Sequence, residues 1–183
     1  MRKLIAAINI TIDGNCDHRA GLPDEAIHEH YTQLLGNAGL ILYGRKTYQL
    51  MQYWQSVLEQ PTGEKAMDAF AWAIDKIPKL VFSRSLKETG WSTAAIATQD
   101  LETTVRQLKQ ENGGDILVGS PGMINVLTNL QLIDEWQICI HPVLAGPGRL
   151  LFEQLNTRLP LQLVHTKTFP AGHIILYYHS TQQ

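Results

Sequence analysis

The strongest constraint on the fold is a regular alternation of short apolar runs with stretches of helical periodicity, which is typical of α/β proteins. We predict strands over residues 3–11, 39–43, 79–83, 94–98 and 115–119. We predict helices over residues 23–35, 45 to about 53, 64–77, 101–111 and 123–132. Because the inner strands are continuous apolar runs, we expect a mostly parallel sheet that is covered by helices on both faces.

The last third of the sequence changes character. Residues 136–144, 161–169 and 173–179 are strand-like, and no helical periodicity separates them. Consecutive strands without a connecting helix pair most readily in the antiparallel sense, so we expect antiparallel strands at one edge of the sheet. The sequence Pro-Ala-Gly at residues 170–172 is typical of a hairpin turn. The predicted sheet is therefore mixed.

Composition limits the class of protein. Hydrophobic residues make up 44% of the 183 residues and charged residues 17%, below the roughly 25% of an average soluble domain, so we expect a buried core. The length favours one domain, which we place at residues 1–183. A net charge of -2 and dispersed cations argue against nucleic acid as a partner. Without an apolar run of about 20 residues or a secretory leader, we expect a cytoplasmic protein with no membrane contact.

The cysteines and histidines do not suggest a metal site. Cys16 and Cys139 lie far apart in the sequence, without the close spacing of a zinc knuckle or a redox pair. His28 and His30 are two residues apart on a predicted helix and therefore point to different faces, unlike the histidines of zinc-binding helices. We expect no bound metal.

Three predicted strands end in residues that suit phosphate. In an open α/β sheet, ligands bind at the carboxyl ends of parallel strands, where helix N-termini offer free N–H groups. The residues at these ends are Gly44, Arg45, Lys46 and Thr47, then Ser83 and Arg84, and then Gly119, Ser120, Pro121 and Gly122. Ser120 is a candidate N-cap with Pro121 at the first helical position, and the forked guanidinium of Arg84 suits a phosphate monoester.

Two phosphate cradles and one arginine–serine site suit NADPH better than NADH. Each feature also has an ordinary explanation: a glycine that ends a strand, a capped helix, or a solvated arginine. The shared position at the ends of successive strands favours the dinucleotide interpretation.

Five segments carry a family resemblance that covers nearly the whole chain. They are INITIDG at residues 8–14, LILYGRKTY at 40–48, KLVFSRSL at 79–86, DILVGSPGMINVL at 115–127 and LIDEWQICIHPVLAGPGRLLF at 132–152. On these segments the sequence resembles a stand-alone member of the dihydrofolate reductase-like superfamily, and most closely the RibD C-terminal family, the reductase domain of riboflavin biosynthesis. The last two segments are the most specific.

The resemblance implies a three-layer sandwich of the dihydrofolate reductase type, NADPH as cofactor and a homodimer. It also implies an oxidoreductase that transfers hydride to a small heterocyclic or carbonyl/imine acceptor, similar to 5-amino-6-(5-phosphoribosylamino)uracil reductase or dihydrofolate reductase. The implied cofactor contacts are Ala7 and Ile8 at the nicotinamide, Gly44, Arg45, Lys46 and Thr47 at phosphates, Ser83 and Arg84 at the adenosine 2′-phosphate, and Gly119, Ser120, Gly122 and Met123 along the pyrophosphate and nicotinamide ribose.

The residues on the acceptor side are less clearly marked. Asp13 follows the first predicted strand and is our candidate proton donor, although an Asp-Gly pair is also typical of a simple turn. Asp24 and His28 on the next helix, and Tyr48, are candidate residues of the substrate pocket. An aromatic residue at helical spacing, such as Tyr48, is also typical of a core.

Two departures from the family pattern bear on the acceptor. Dihydrofolate reductases have a single acidic residue on the first helix, where this chain has Asp24, Glu25 and Glu29, and riboflavin-pathway reductases typically have Glu where Val118 stands. The alternative to an enzyme is a protein of the same fold that binds NADPH as a sensor, without catalysis. A serine hydrolase is disfavoured, since Pro121 removes the N–H that would complete an oxyanion hole after a serine nucleophile.

Overall fold

The computed structural model describes residues 1–156 and 158–181, which form eight strands and six helices. The strands are β1 (Leu4–Thr11), β2 (Ala38–Gly44), β3 (Lys79–Phe82), β4 (Ala94–Ile96), β5 (Asp115–Val118), β6 (Glu135–His141), β7 (Leu161–Thr168) and β8 (Ile174–Ser180). The helices are α1 (Glu25–Asn37), α2 (Arg45–Met51), α3 (Tyr53–Glu59), α4 (Lys65–Lys76), α5 (Leu101–Gln110) and α6 (Pro121–Asn129).

The chain forms two units, each of which is discontinuous in sequence. The first comprises Met1–Arg2 and Asp24–Leu117, and the second comprises Lys3–Pro23 and Val118–Gln183. The expectation of one reductase-like domain over residues 1–183 stays a prediction.

Strands of the first unit follow the order β4-β3-β2-β5, and β2, β3 and β4 run parallel. Beside them, α4 packs against α1 and α3. The apolar spacing in α4 is confirmed as a core face, because Ala66, Phe70, Ala71 and Ile74 are buried. Since parallel strands begin at one edge of a sheet, their carboxyl ends share the opposite edge.

Strands of the second unit follow the order β1-β6-β8-β7. β8 is antiparallel to both β6 and β7, so the predicted antiparallel pairing of the C-terminal strands is confirmed. On its other side β6 runs parallel to β1, a pairing that was not predicted. It arises because α6 directly precedes β6 and carries the chain back along the sheet, as parallel pairing requires.

The β7–β8 connection is a hairpin, as its Pro-Ala-Gly sequence predicts. The backbone N–H of Phe169 donates to the carbonyl oxygen of His173 at 2.9 Å, and Gly172 N–H donates back to Phe169 at 2.9 Å. Gly172 has a φ of +92°, a conformation that favours glycine.

One helix was missed by the sequence prediction, which ended the second helix near residue 53. The structure has a break at Gln52 and then α3, in which Val57 is buried. With so few buried positions, α3 carries no apolar stripe for the sequence to show. Among the described residues, no helix is both long enough and apolar enough to cross a membrane.

Candidate functional site

Two neighbouring strands of the first unit end at residues predicted to bind phosphate. β2 and β3 are parallel, and Gly44 lies in register with Phe82. The first two residues of α2, both cationic and exposed, follow Gly44 directly, and Ser83 and Arg84 follow Phe82 directly. Because paired strands lie about 4.8 Å apart, the two cationic segments share one edge of the sheet.

The turn after β3 is ordered by the hydroxyl group of Ser83. Its Oγ accepts hydrogen bonds from the backbone N–H groups of Ser85 (3.2 Å) and Leu86 (2.9 Å). Arg84 at the tip of this turn has an exposed side chain. An exposed guanidinium can bind a phosphate through two parallel hydrogen bonds.

The start of α2 has no side-chain cap. Gly44 is its N-cap residue in an extended conformation (φ -77°, ψ 153°), and Arg45, Lys46 and Thr47 form the first turn. Without a side-chain acceptor, the N–H groups of this turn are open to an anion.

In the second unit, the chain after β5 passes close to β1. A Cβ atom on Gly119 would lie 3.1 Å from the carbonyl oxygen of Ala7, closer than side chains normally approach a backbone oxygen. Ser120 is the N-cap residue of α6 and Pro121 is in its first turn, which confirms the predicted helix start. The N-terminal turn of α6 is thereby held beside the middle of β1.

The resemblance implies that Ile8 lies against the nicotinamide and that Met123 lies along the pyrophosphate and nicotinamide ribose. Both residues are buried at 7% exposure. Ala7 is half-buried. These apolar side chains can pack against a flat ring but offer it no polar group.

Arg149 lies at the N-terminal turn of α6 and was not among the predicted residues. A Cβ atom on Gly122 would lie 3.5 Å from its Nη2 atom. The carbonyl oxygen of Arg149 accepts a hydrogen bond from the Cys16 N–H at 2.8 Å, which fixes the backbone beneath the side chain. A cation at a helix N-terminus adds to the attraction for an anion. The sequence signal that could have found Arg149 is its place directly after the glycine-rich turn 146–148.

The turn before Arg149 packs tightly on Asn15. A Cβ atom on Gly148 would lie 2.0 Å from Nδ2 of Asn15, a buried side chain. Asn15 is held on both sides, because its N–H donates to Oγ1 of Thr11 at 3.1 Å and its Oδ1 accepts from the N–H of Asp17 at 2.9 Å. Only glycine fits at position 148 without moving Asn15.

Asp13, the candidate proton donor, is an exposed carboxylate with several hydrogen-bond donors. The Thr11 hydroxyl donates to it, as do the N–H groups of Ala145 (3.2 Å) and Gly146 (2.7 Å). These hydrogen bonds, that of Thr11 foremost, hold the pKa of Asp13 below its usual value. The Asp-Gly turn is also formed, since Gly14 has a φ of +82°. Asp13 therefore anchors the 145–146 turn as an ionised group, and its role as proton donor stays a prediction.

Two of the predicted pocket residues lie at the start of α1. Asp24 is its N-cap residue, and its Oδ1 accepts a hydrogen bond from the Ile27 N–H at 2.9 Å. The half-buried ring of His28 lies 5.9 Å from the ring of Trp54 and 6.0 Å from that of Phe70, between centroids. Burial lowers the pKa of His28, so the imidazole is mainly neutral near pH 7.

Tyr48, the third predicted pocket residue, lies in the core. Its side chain is fully buried, its hydroxyl donates to the carbonyl oxygen of Thr89 at 2.8 Å, and its ring lies 6.2 Å from that of Trp91. This is the core alternative that its helical spacing also suggested.

Among the described residues, no group of three or more His, Cys, Asp or Glu side chains could hold a metal ion.

Comparison with known proteins places these features in a family context. Residues 2–175 match the family model of the RibD C-terminal domain. The uncharacterized protein YyaP of Bacillus subtilis (strain 168) is 33% identical over 183 residues, which cover 97% of this chain and 95% of YyaP.

Solved structures share the fold at low sequence identity. A putative riboflavin biosynthesis protein from Shewanella sp. PV-4 has a TM-score of 0.75 at 17% identity, covering 98% of this chain and 99% of that one. Dihydrofolate reductase from Enterococcus faecalis, solved in complex with NADP(H), has a TM-score of 0.64 at 13% identity, covering 98% of this chain and 97% of that one. The mixed α/β fold is thus of the dihydrofolate reductase-like type.

Proposed function

The chain belongs to the RibD C-terminal domain family, and from this premise we propose that it is an NADPH-dependent reductase that transfers hydride to a small heterocyclic or carbonyl/imine acceptor. The observation that carries the proposal is the register of Gly44 with Phe82, because it brings the cationic segments after β2 and β3 to one edge of a parallel sheet. Three exposed cations at such an edge suit the phosphates of a dinucleotide.

Each unit, taken by itself, offers groups that suit NADPH. In the first unit, Ser83 and Arg84 suit the adenosine 2′-phosphate, and the uncapped first turn of α2 suits a phosphate of the pyrophosphate. In the second unit, Gly119 lies so close to β1 that a side chain at this position would crowd the Ala7 carbonyl. The half-buried Ala7 suits a flat ring, and the N-terminal turn of α6 suits a ribose or a phosphate. When bound, the cofactor supplies the hydride.

The chain itself supplies binding, orientation and the exclusion of water. Arg84 distinguishes NADPH from NADH, because its guanidinium can pair with the 2′-phosphate of NADPH and NADH has no such group. Buried Ile8, which the resemblance implies to lie against the nicotinamide, keeps water from that ring. Exclusion of water favours hydride transfer, which takes place over about 3 to 3.5 Å.

A specific observation favours the second candidate, an NADPH-binding sensor without catalysis. Three of the four predicted acceptor-side residues have a structural role: Asp13 holds the 145–146 turn, Asp24 caps α1, and Tyr48 bonds to Thr89 within the core. A protein whose acceptor-side polar groups are engaged in this way would bind the cofactor without reducing a substrate.

Turnover separates the two candidates. We expect the protein to oxidise NADPH in the presence of a pterin, an aminopyrimidine or a small carbonyl compound, as followed by the loss of NADPH absorbance. Arg45→Ala should raise the KM for NADPH, whereas Arg106→Ala, at an exposed arginine paired with Glu102 on α5, should not. Binding of NADPH without turnover of any acceptor class would support the sensor.

The homodimer that the resemblance implies is also part of our proposal. β7 is the last strand in the order of the second unit, and six of its eight residues are exposed. Leu163 and Val164 are 48% and 47% exposed on this strand, an arrangement that suits contact with a second copy.

A further inference from the structure

Two buried histidines hold the connection between β1 and α1 at Leu22. The N–H of Leu22 donates to Nδ1 of His141 at 2.9 Å, and Nε2 of His173 lies 2.8 Å from the carbonyl oxygen of Leu22. His141 ends β6 and His173 precedes β8, and both side chains are at most 2% exposed. The Leu22 side chain is 59% exposed, so the connection is anchored here through its backbone.

These contacts determine where the protons lie on the imidazoles. Nδ1 of His141 accepts a hydrogen bond and therefore carries no proton, which places the proton of the neutral ring on Nε2. A carbonyl oxygen can only accept, so Nε2 of His173 is protonated. If His141 gains a second proton at Nδ1, two donors face each other and the bond to Leu22 is lost.

The surroundings leave the rings little freedom to adapt. The two rings meet edge to face, with centroids 4.7 Å apart and planes at 89°. A Cβ atom on Gly21 would lie 3.2 Å from Nδ1 and Cε1 of His141, so this ring already touches the connection. An added charge on a buried imidazole is poorly solvated, and it is repelled further if the neighbouring ring is also charged. Moving the connection outward relieves both penalties.

Among the described residues, groups from at least three elements face His141. They are Thr11, its register partner in β1, Gly21 and Leu22 of the connection, and His173 from the turn before β8. The ionisable side chains of the connection are Asp13, Cys16, Asp17, His18, Arg19 and Asp24. Asp17 lies 3.3 Å from Arg19 and 3.4 Å from His18. His173 is thus a titratable group in direct contact with His141.

We propose that His141 and His173 form a pH-sensitive clamp, which holds the β1–α1 connection at Leu22 in neutral solution and releases it in mild acid. Histidine is the side chain whose charge ordinarily changes between about pH 5 and pH 8. The clamp is formed by residues of the second unit alone and does not depend on the proposed reductase function.

Hydrogen exchange of the Leu22 amide, measured by NMR, tests the clamp. After correction for the intrinsic exchange rate, we expect the protection of this amide to fall by about tenfold or more between about pH 7.5 and about pH 5, which corresponds to the loss of one buried hydrogen bond. Amides in the centre of β1 serve as the internal reference and should stay protected. Equal protection of Leu22 at both pH values would overturn the proposal.

Matched variants separate titration of the clamp from a general effect of acid. In His141→Asn, the side-chain oxygen stands near the position of Nδ1 but does not titrate, so Leu22 should stay protected at both pH values. His18→Asn, at an exposed histidine on the same connection, should behave like the parent. Loss of protection at low pH in His141→Asn, to the same extent as in the parent, would contradict the clamp.

The tautomers of the parent protein give a test that requires no variant. Long-range ¹H–¹⁵N spectra should show His141 with its proton on Nε2 near pH 7.5 and with both nitrogens protonated once Leu22 is released. An Nδ1–H tautomer of His141 at neutral pH would overturn the proposal even if His141→Asn failed to fold.

Discussion

Lys79, the first residue of β3, has a buried amino group. The residue is 2% exposed, and its Nζ donates to the carbonyl oxygens of Asp75 (3.1 Å) and Ile77 (2.9 Å) and to Oγ1 of Thr93 (2.7 Å). It also lies 4.0 Å from the centre of a Trp91 ring. Burial, opposed in part by Asp75, lowers the pKa of Lys79 from 10.5 to about 8.

This shift predicts a pH dependence of stability. Between about pH 8 and pH 10.5 the unfolded state binds more protons at Lys79 than the folded state, so the free energy of unfolding rises with pH in this window. We expect a rise of about 1 to 3 kcal/mol relative to Lys79→Met, measured by urea denaturation. Lys76→Met, at an exposed lysine, is the control and should follow the parent. Parallel pH profiles for the parent and Lys79→Met would contradict the assignment.

Gly148 is a second residue that makes a testable contribution to stability, because an added Cβ atom would collide with Asn15. We predict that Gly148→Ala destabilises the protein by about 1 to 3 kcal/mol, because the new Cβ atom meets the buried Asn15 amide. Gly36→Ala is the matched control, since no atom apart from the neighbouring backbone of α1 lies within 4 Å of its Cβ position, and it should be neutral or slightly stabilising. Thermal denaturation of both variants checks this, and equal melting temperatures would argue against the close packing of Gly148 on Asn15.

At the scale of elements, the start of α1 tests whether Asp24 has one role or two. As the N-cap residue, Asp24 should be replaceable by Ser at little cost, whereas Asp24→Ala should cost about 1 kcal/mol of stability. If Asp24 also binds the acceptor, Asp24→Ser should keep its melting temperature but lose activity. Asp100, the N-cap residue of α5, provides the same pair of substitutions away from the predicted site. Full activity in Asp24→Ser would show that the only role of Asp24 is to cap α1.

Elements were predictable from the sequence where the signal is local. The ends of β2 and β3, the start of α6 at Pro121 and the hairpin at Gly172 follow from short-range patterns of apolar and turn residues. Long-range contacts were not predictable: Asp13 meets the N–H groups of Ala145 and Gly146, more than 130 residues away along the chain. Nothing in the periodicity of either segment encodes that pairing.

The residues of the candidate site likewise divide into those that local sequence predicts and those that only the folded chain brings together. Residues at strand ends could be found because their position follows from strand direction, as for Arg84 after β3. Arg149 was missed because it reaches α6 only through the folded path of the 146–148 turn, which the Cys16 hydrogen bond holds in place. Tyr48 was predicted as a pocket residue but lies in the core, because helical spacing alone does not distinguish a pocket residue from a core residue.

At the scale of the whole molecule, the exposed edge strand makes the oligomeric state testable. If β7 pairs with a second copy, Leu163→Glu and Val164→Glu should shift the protein from dimer to monomer in sedimentation experiments, because they place charge in the contact. Thr103→Glu, an exposed substitution on α5, should leave the oligomeric state unchanged. A monomeric parent protein would contradict the dimer.

The family match and the cationic edge of the first unit together make NADPH binding the central claim. The most direct test is the affinity for NADPH and NADH, measured by fluorescence titration on the parent, Arg84→Ala and the control Arg106→Ala. We predict that the parent and Arg106→Ala prefer NADPH by about tenfold or more, and that Arg84→Ala loses this preference while its affinity for NADH is unchanged, because one charge-assisted hydrogen-bonding group is removed. Equal affinity of the parent for the two nucleotides, or binding of neither, would contradict the account.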